Sequence, residues 1–253
     1  MITLEEYEKL NPRTELKFGE SSVAYVTPNT FTKWRVDSLF DKEPVTIEWI
    51  AGFRPADVLV DVGANVGMYT IWAAKTRGVR VFAFEPESQN YALLNRNILL
   101  NGLEQLVSAY CLAISDVSGL SYLHLSNVTA GSSCHSLDER VDFKHEPMKP
   151  AFSQGCVSAR IDDLVASGAV PEPNHIKIDV DGFEPKVIAG AKRVIAGKKL
   201  RSLLIEVNQN LPDHMQMVAA LNALGFLHDP AQVAAAERKD GAFKGCAEYV
   251  FKR

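Results

Sequence analysis

The chain has 253 residues, of which 47% are hydrophobic and 23% charged, and carries a net charge of −4. That length suits one large α/β domain with a deep core. The absence of a Lys/Arg run argues against nucleic acid as a main partner, because phosphate binding leaves a basic footprint. No apolar run approaches the ~18 residues of a membrane span. The N-terminus, "MITLEEYEKLNPRTEL", lacks the basic and apolar regions of a secretory signal. The cysteines, Cys111, Cys134, Cys156 and Cys246, are scattered and form no C-x-x-C pair, as expected of free thiols in a reducing cytoplasm.

Residues 1–55 read as an N-terminal extension with a strand in "SVAYVTP" and a helix around "PVTIEWIAGF". Strands and helices then alternate. "ADVLVDVG" is a short apolar run of the kind that forms a buried parallel strand, and the helix "ANVGMYTIWAAKTRG" stops at Gly78. "VRVFAFEP" is a second strand and "ESQNYALLNRNILLNG" a helix. "LVSAYCLAISD" is a third strand, and "GLSYLHLS" is a strand or one arm of a hairpin. Residues 126–158 break the rhythm with Ser, Gly, Pro and charge, and read as an irregular insertion on the substrate side. The pattern resumes with the helix "RIDDLVAS", the strand "NHIKIDV", one helix across "EPKVIAGAKRVIAG", the strand "LRSLLIEVN", and the helix "DHMQMVAALNALGF" leading to a short strand near 226–228. "CAEYVFKR" closes the chain as a strand. The whole, 1–253, reads as a single domain with a mostly parallel sheet covered on both faces. Its last two strands look like a hairpin that leaves one antiparallel strand at the end.

In such sheets ligands bind at the carboxyl ends of the strands. The first turn, "DVGANVG", offers Gly63 and Gly67 for close backbone approach and Asp61 as an acceptor at the strand end. Its G-x-x-x-G spacing lacks the three-glycine turn of a dinucleotide site, which weighs against the alternative of an NAD-dependent oxidoreductase. Glu85, at the second strand end, is placed to take both hydroxyls of a ribose, and Ser115 and Asp116 follow the third strand where an adenine would lie. In order and together, these point to an adenosine site.

The motifs "VLVDVGANVGMYT", "VFAFEPESQNYALLNRNILLNG", "AISDVSG", "IDDL", "IKIDVDGFEPKVIAGA" and "LLIEVN", with "WRVDSLFDKEPVTIEWI" before them, resemble the FkbM-type S-adenosylmethionine-dependent methyltransferases over roughly residues 30–210. The resemblance implies a Rossmann-like class I methyltransferase fold with a seven-stranded, mostly parallel sheet and a reversed final strand. It implies S-adenosyl-L-methionine as cofactor. Asp61, Gly63, Ala64, Asn65 and Gly67 would surround its methionine part, Tyr69 and Thr70 would contact its carboxylate, Glu85 with Pro86 would hold the ribose, and Ser115 and Asp116 would lie by the adenine. Asn97 is a weaker candidate. The activity implied is O-methylation of a hydroxyl on a sugar, glycan or natural-product acceptor. A binding module that has lost turnover is a further alternative, one that predicts damaged cofactor residues. The extension offers a contact surface for a homo-oligomer.

An alcohol nucleophile must lose a proton, so a base or a metal is expected. "HIKIDVDGFE" supplies the candidates, in three readings. Asp179 points into the cleft as general base or substrate anchor, near Lys177. Alternatively, Asp179, Asp181 and Glu206 hold Mg²⁺ through oxygen ligands. In the third reading the group is structural: Asp181 caps the next helix, Lys177 pairs with an acid, and Glu184 complements the helix dipole. His135, inside the irregular insertion, could serve as a base if that segment folds over the cleft. Trp34 could line an acceptor pocket.

Overall fold

A computed structural model describes residues 2–19 and 21–253. Chain order begins with α1 (Leu4–Lys9), β1 (Arg13–Phe18), β2 (Ser21–Val26), α2 (Thr30–Asp37) and α3 (Pro44–Ala51). The alternating part follows with β3 (Val58–Val62), α4 (Met68–Arg77), β4 (Arg80–Phe84), α5 (Ser88–Leu100), β5 (Val107–Tyr110) and β6 (Ala113–Ile114). Next come β7 (Gly119–Leu125), β8 (Ser136–Leu137), β9 (Phe152–Ala159), α6 (Ile161–Ala166), β10 (His175–Ile178), α7 (Glu184–Ala189) and α8 (Lys192–Ala196). The chain closes with β11 (Ser202–Asn208), α9 (Pro212–Ala223), α10 (Pro230–Ala236) and β12 (Cys246–Lys252).

The main sheet has the order β12-β11-β10-β3-β4-β5. Its inner pairs are parallel, and β12 runs antiparallel to β11. Side chains alternate between its faces. Val58, Val60, Val62, Ile176, Ile178, Leu203, Ile205 and Val207 belong to one core, whereas Leu59 and Leu204 belong to the other. The N-terminal residues build that second core: Val23, Tyr25, Val36, Leu39, Trp49, Ile50 and Phe53 pack there with α4 and α5. Three polar ties fix them. The Tyr25 hydroxyl donates to the Met68 carbonyl (2.9 Å), and the side chains of Asn97 and Asn101 accept from the amides of Val26 and Ala24. Asn97 therefore serves the packing of the extension.

Four sequence expectations change. The main sheet has six strands where seven were expected, because the segment between α9 and α10 is too short for another. Gly225 turns with φ +85°, Pro230 begins α10, and only a single bridge forms, between Leu227 and Lys252. The expected third strand divides: β5 stays in the main sheet, whereas β6 leaves it for a second sheet of order β6-β9-β7-β8. Residues 126–158 are correspondingly not all irregular, since β9 pairs along the whole of β7. The helix expected across 184–197 breaks into α7 and α8. The break falls at Gly190–Ala191, where Ala191 leaves helical geometry (φ −122°) and a Cβ at Gly190 would lie 2.1 Å from the Ser115 carbonyl oxygen, so only glycine lets this turn pack there. The buried Asp162 carboxylate then accepts from the amides of Arg193 and Val194 and starts α8. Among the described residues no helix is long and apolar enough to cross a membrane.

At the amino end of the sheet, His175 stacks on Phe53 and lies between Ser202 Oγ (2.7 Å) and Asp57 Oδ2 (3.1 Å). Burial pushes its imidazole down to about 4 from 6.5. The unfolded chain therefore binds a proton in this window that the folded chain refuses. Stability supplied by this group is complete above pH 6.5 and is lost as pH falls toward 4. Urea unfolding across that window should show a loss of about 2–3 kcal/mol assigned to this group, and His175→Gln should reduce the slope.

Candidate functional site

The carboxyl ends of β3, β4 and β10 open into a cleft of about 450 Å³, roofed by α2 and by the segment around residues 132–137. A smaller pocket adjoins it, shared by Asp61, Ala64, Tyr69, Lys177 and the end of α2.

Backbone geometry at the first strand end is tightly constrained. Gly63 has φ +79°, and a Cβ there would lie 1.9 Å from the Asp179 carbonyl oxygen. Only glycine lets β3 and β10 come this close. Asn65 is left-handed too, at φ +50°. Gly67 does a different job from the one its sequence position suggests. It caps α4, and a Cβ there would meet Leu94 at 2.4 Å, so it permits helix packing and lines neither cavity.

Asp61 is buried, with Oδ2 accepting from the Thr70 hydroxyl at 2.5 Å and Oδ1 without a partner among the described residues. Burial raises its carboxyl above the ordinary value. A buried acceptor left unmatched costs about 1–3 kcal/mol, and it sits on the wall of the smaller pocket, where a ligand's cationic donor can match it. Thr70 itself is fully buried, turned to Asp61 and off both cavities, whereas Tyr69 and Ala64 line the smaller one. Glu85 accepts from the amides of Asn65 (2.7 Å) and Glu87 (3.0 Å), one on each oxygen, and still lines the cleft. Burial pushes it up to about 7. Each of its oxygens keeps a lone pair for a vicinal diol. Pro86 and Ser115 line the cleft with it. Asp116 is exposed, accepts from the Ser115 hydroxyl, and does not line the cleft.

The fourth strand end carries the acids. Lys177 is buried and donates to Asp179 Oδ2 at 2.8 Å, with its ammonium over the Tyr69 ring. Burial alone would raise Asp179, but Lys177 and then Lys42 hold it well below the usual carboxylate range. Lys177 is correspondingly held up by Asp179, Asp61 and Glu43 against its own burial. Asp179, Asp181 and Glu206 bring oxygens within 4.8 Å of one another. Burial and then Asp179 push Asp181 to about 6 and Glu206 to about 8. Arg238 pairs with Glu206 (2.5 Å) and Glu248 (2.6 Å).

Asp181 does not cap the following helix, contrary to the structural reading of the motif. It is left-handed at φ +55°, faces the cleft, and accepts from the Cys134 amide at 2.7 Å. Glu184 closes the turn by accepting from the amides of Val180 and Gly182. The segment around Cys134 does fold over the cleft. Ser132 and Gly131 bond to Asn90 and Asn65, and His135 lines the cavity. Burial pushes His135 down to about 4, so it is neutral at pH 7. Trp34 is 52% exposed and lines the same cleft. Arg35, Lys42, Asn90 and Arg238 join it without any periodic signal in the sequence to mark them.

The Methyltransferase FkbM domain family matches residues 61–227. Hexuronic acid methyltransferase AglP of Haloferax volcanii is 26% identical over 69% of this chain, and the match spans 66% of that protein's own length, just under two thirds. 31-O-demethyl-FK506 methyltransferase FkbM of Streptomyces tacrolimicus is 27% identical over 68% of this chain and 74% of its own. Among solved structures, precorrin-6y C5,15-methyltransferase from Geobacter metallireducens GS-15 aligns with 85% of this chain and 90% of its own, at 13% identity and a TM-score of 0.48.

Gly63→Ala should cost at least about 2–4 kcal/mol in urea unfolding, since it combines a left-handed alanine with overlap of the Asp179 backbone. Gly78→Ala, at φ +64° with nothing within 4 Å, should pay only the conformational part.

Proposed function

Because the chain belongs to the FkbM methyltransferase family, we propose that it transfers a methyl group from S-adenosylmethionine to a hydroxyl oxygen of a sugar, glycan or natural-product acceptor. The observation that carries the proposal is a pair of acids at neighbouring strand ends. Asp61 has one buried oxygen without a partner, suited to an ammonium, and Glu85 has two oxygens suited to a ribose. These residues fit the cofactor, which when bound supplies an already activated sulfonium methyl. The relatives' names, which mention a hexuronic acid and the O-31 position of FK506, support oxygen as the acceptor atom and a small molecule or sugar as its carrier. An acidic chain without a basic run supports the same choice over nucleic acid. A cytoplasmic setting is part of the proposal, and four free cysteines support it.

The remaining work falls to the chain. The cleft holds the acceptor hydroxyl against the strand ends and away from water, and positioning of this kind supplies on the order of 7–11 kcal/mol in favourable cases. Asp179 stays anionic under Lys177 and anchors the hydroxyl. Lys177 is a positioning residue. Asp181, pushed up to about 6, is better matched than Asp179 to take the hydroxyl proton near neutral pH. The neutral His135 on the same cleft is the other candidate base. A divalent cation such as Mg²⁺ is a second reading, supported by the convergence of Asp179, Asp181 and Glu206 oxygens. Against it, Lys177 and Arg238 already neutralise two of the three acids. Transfer undiminished by EDTA would remove the metal from the account.

Methyl transfer is tested with labelled S-adenosylmethionine against uronic acid, neutral sugar and macrolide alcohols. Asp181→Asn should keep cofactor affinity and lower kcat by about 10²–10⁴, and Asp179→Asn should also keep affinity and lose turnover. Full activity in either variant would remove that residue from the mechanism.

Glu85 makes a separate prediction. A ribose diol prefers the carboxylate, so affinity for S-adenosylhomocysteine should be full above pH 7 and fall below it, by up to roughly tenfold per unit. Glu85→Gln should bind weakly and with a flatter profile by calorimetry.

A further inference from the structure

The cations around the two cavities are nearly all engaged with acids of the chain itself. Lys42 pairs with Glu43 (2.5 Å), Lys177 with Asp179 (2.8 Å), Lys186 with Glu139 (2.5 Å), and Arg238 with Glu206 and Glu248. Arg35 is different. Its Nε donates to the Gly131 carbonyl at 2.5 Å, which fixes the guanidinium against the loop over the cleft. Among the described residues neither terminal nitrogen has a hydrogen bond or an ion pair. The side chain is half-buried and lines both the main cleft and the smaller pocket.

The smaller pocket therefore carries a pair of unmatched groups of opposite sign: the orphan Oδ1 of Asp61 and the open fork of Arg35. An α-amino acid head group is the complementary object, an ammonium and a carboxylate on one carbon. A planar guanidinium binds a carboxylate bidentately, with geometry that an ammonium cannot reproduce. The hydroxyl of Thr70, expected from the sequence to meet this carboxylate, is turned to Asp61 instead. Resting on the cofactor reading above, we propose that Arg35 is the clamp for the carboxylate of the cofactor's amino-acid arm, opposite Asp61 on its amine. The N-terminal extension thereby completes the cofactor site from outside the alternating part of the fold.

The test is a cycle of two ligands and three proteins, read by calorimetry. The ligands are S-adenosylhomocysteine and its decarboxylated analogue, which keeps the amine and the adenosine. The proteins are wild type, Arg35→Gln and Arg35→Lys. Wild type should bind the analogue roughly 10- to 100-fold more weakly. Arg35→Gln should weaken S-adenosylhomocysteine by a similar factor and leave the analogue unchanged, with Arg35→Lys intermediate. The analogue's unchanged affinity also reports an intact cleft. Equal binding of both ligands by wild type would overturn the proposal without any variant. Equal loss of both ligands in Arg35→Gln would overturn it in favour of a role in holding the Gly131 loop. Undiminished S-adenosylhomocysteine binding by that variant would also overturn it. Failure of wild type to bind either ligand would instead reject the cofactor reading on which the proposal rests.

Discussion

The close approach of β3 and β10 at Gly63 governs everything at the carboxyl edge of the sheet. Pairing in register puts Lys177 beside Asp61, and the missing Cβ at Gly63 lets the Asp179 carbonyl pass within a distance no side chain would tolerate. A buried lysine is thereby held between two acids. Taking such charges out of water costs several kcal/mol per ion, so the arrangement is weak evidence of stability and better evidence of a charge placed for use. Its result is an anionic Asp179, an Asp61 with one oxygen unmatched, and an Asp181 lifted toward neutrality.

The elements outside the alternating pattern finish the site. The N-terminal residues form about a third of one core and bring α2 to the cleft, with Trp34 and Arg35 on its wall. The second sheet, through β7 and β9, supports the segment that lies across the opening. That segment is held by short polar contacts: Ser132 to Asn65 and Asn90, Arg35 to Gly131, Cys134 to Asp181. Burial under that segment shifts both groups: with the Asp179 charge it raises Asp181 against the opposing Cys134 amide, and by itself it lowers His135.

Much of this was legible in the sequence, and for local reasons. Short apolar runs mark buried strands, whose side chains alternate with period two, and an acid that ends such a run marks the edge where ligands bind. The same period puts Lys177 and Asp179 on one side of the chain, so their pairing was foreseeable. What was not legible depends on residues far apart. Gly190 reads as a tolerable helix glycine until the Ser115 carbonyl is placed against it. Asp181 reads as a helix cap until Cys134, 47 residues earlier, claims its carboxylate. Gly67 reads as a ligand glycine until Leu94 packs on it. Arg35 carries no pattern at all, because what sets it apart is spatial: among the described residues it has no acid partner, whereas Lys42, Lys177, Lys186 and Arg238 each have one.

We propose that the unmatched oxygen of Asp61 and the two oxygens of Glu85 receive one adenosyl amino acid. A crystal structure of the complex with S-adenosylhomocysteine tests it most directly. The ligand amine should lie on Asp61 Oδ1 and both ribose hydroxyls on Glu85, with the sulfur facing Asp179. A ligand bound elsewhere, or bound with either acid left uncontacted, would contradict it.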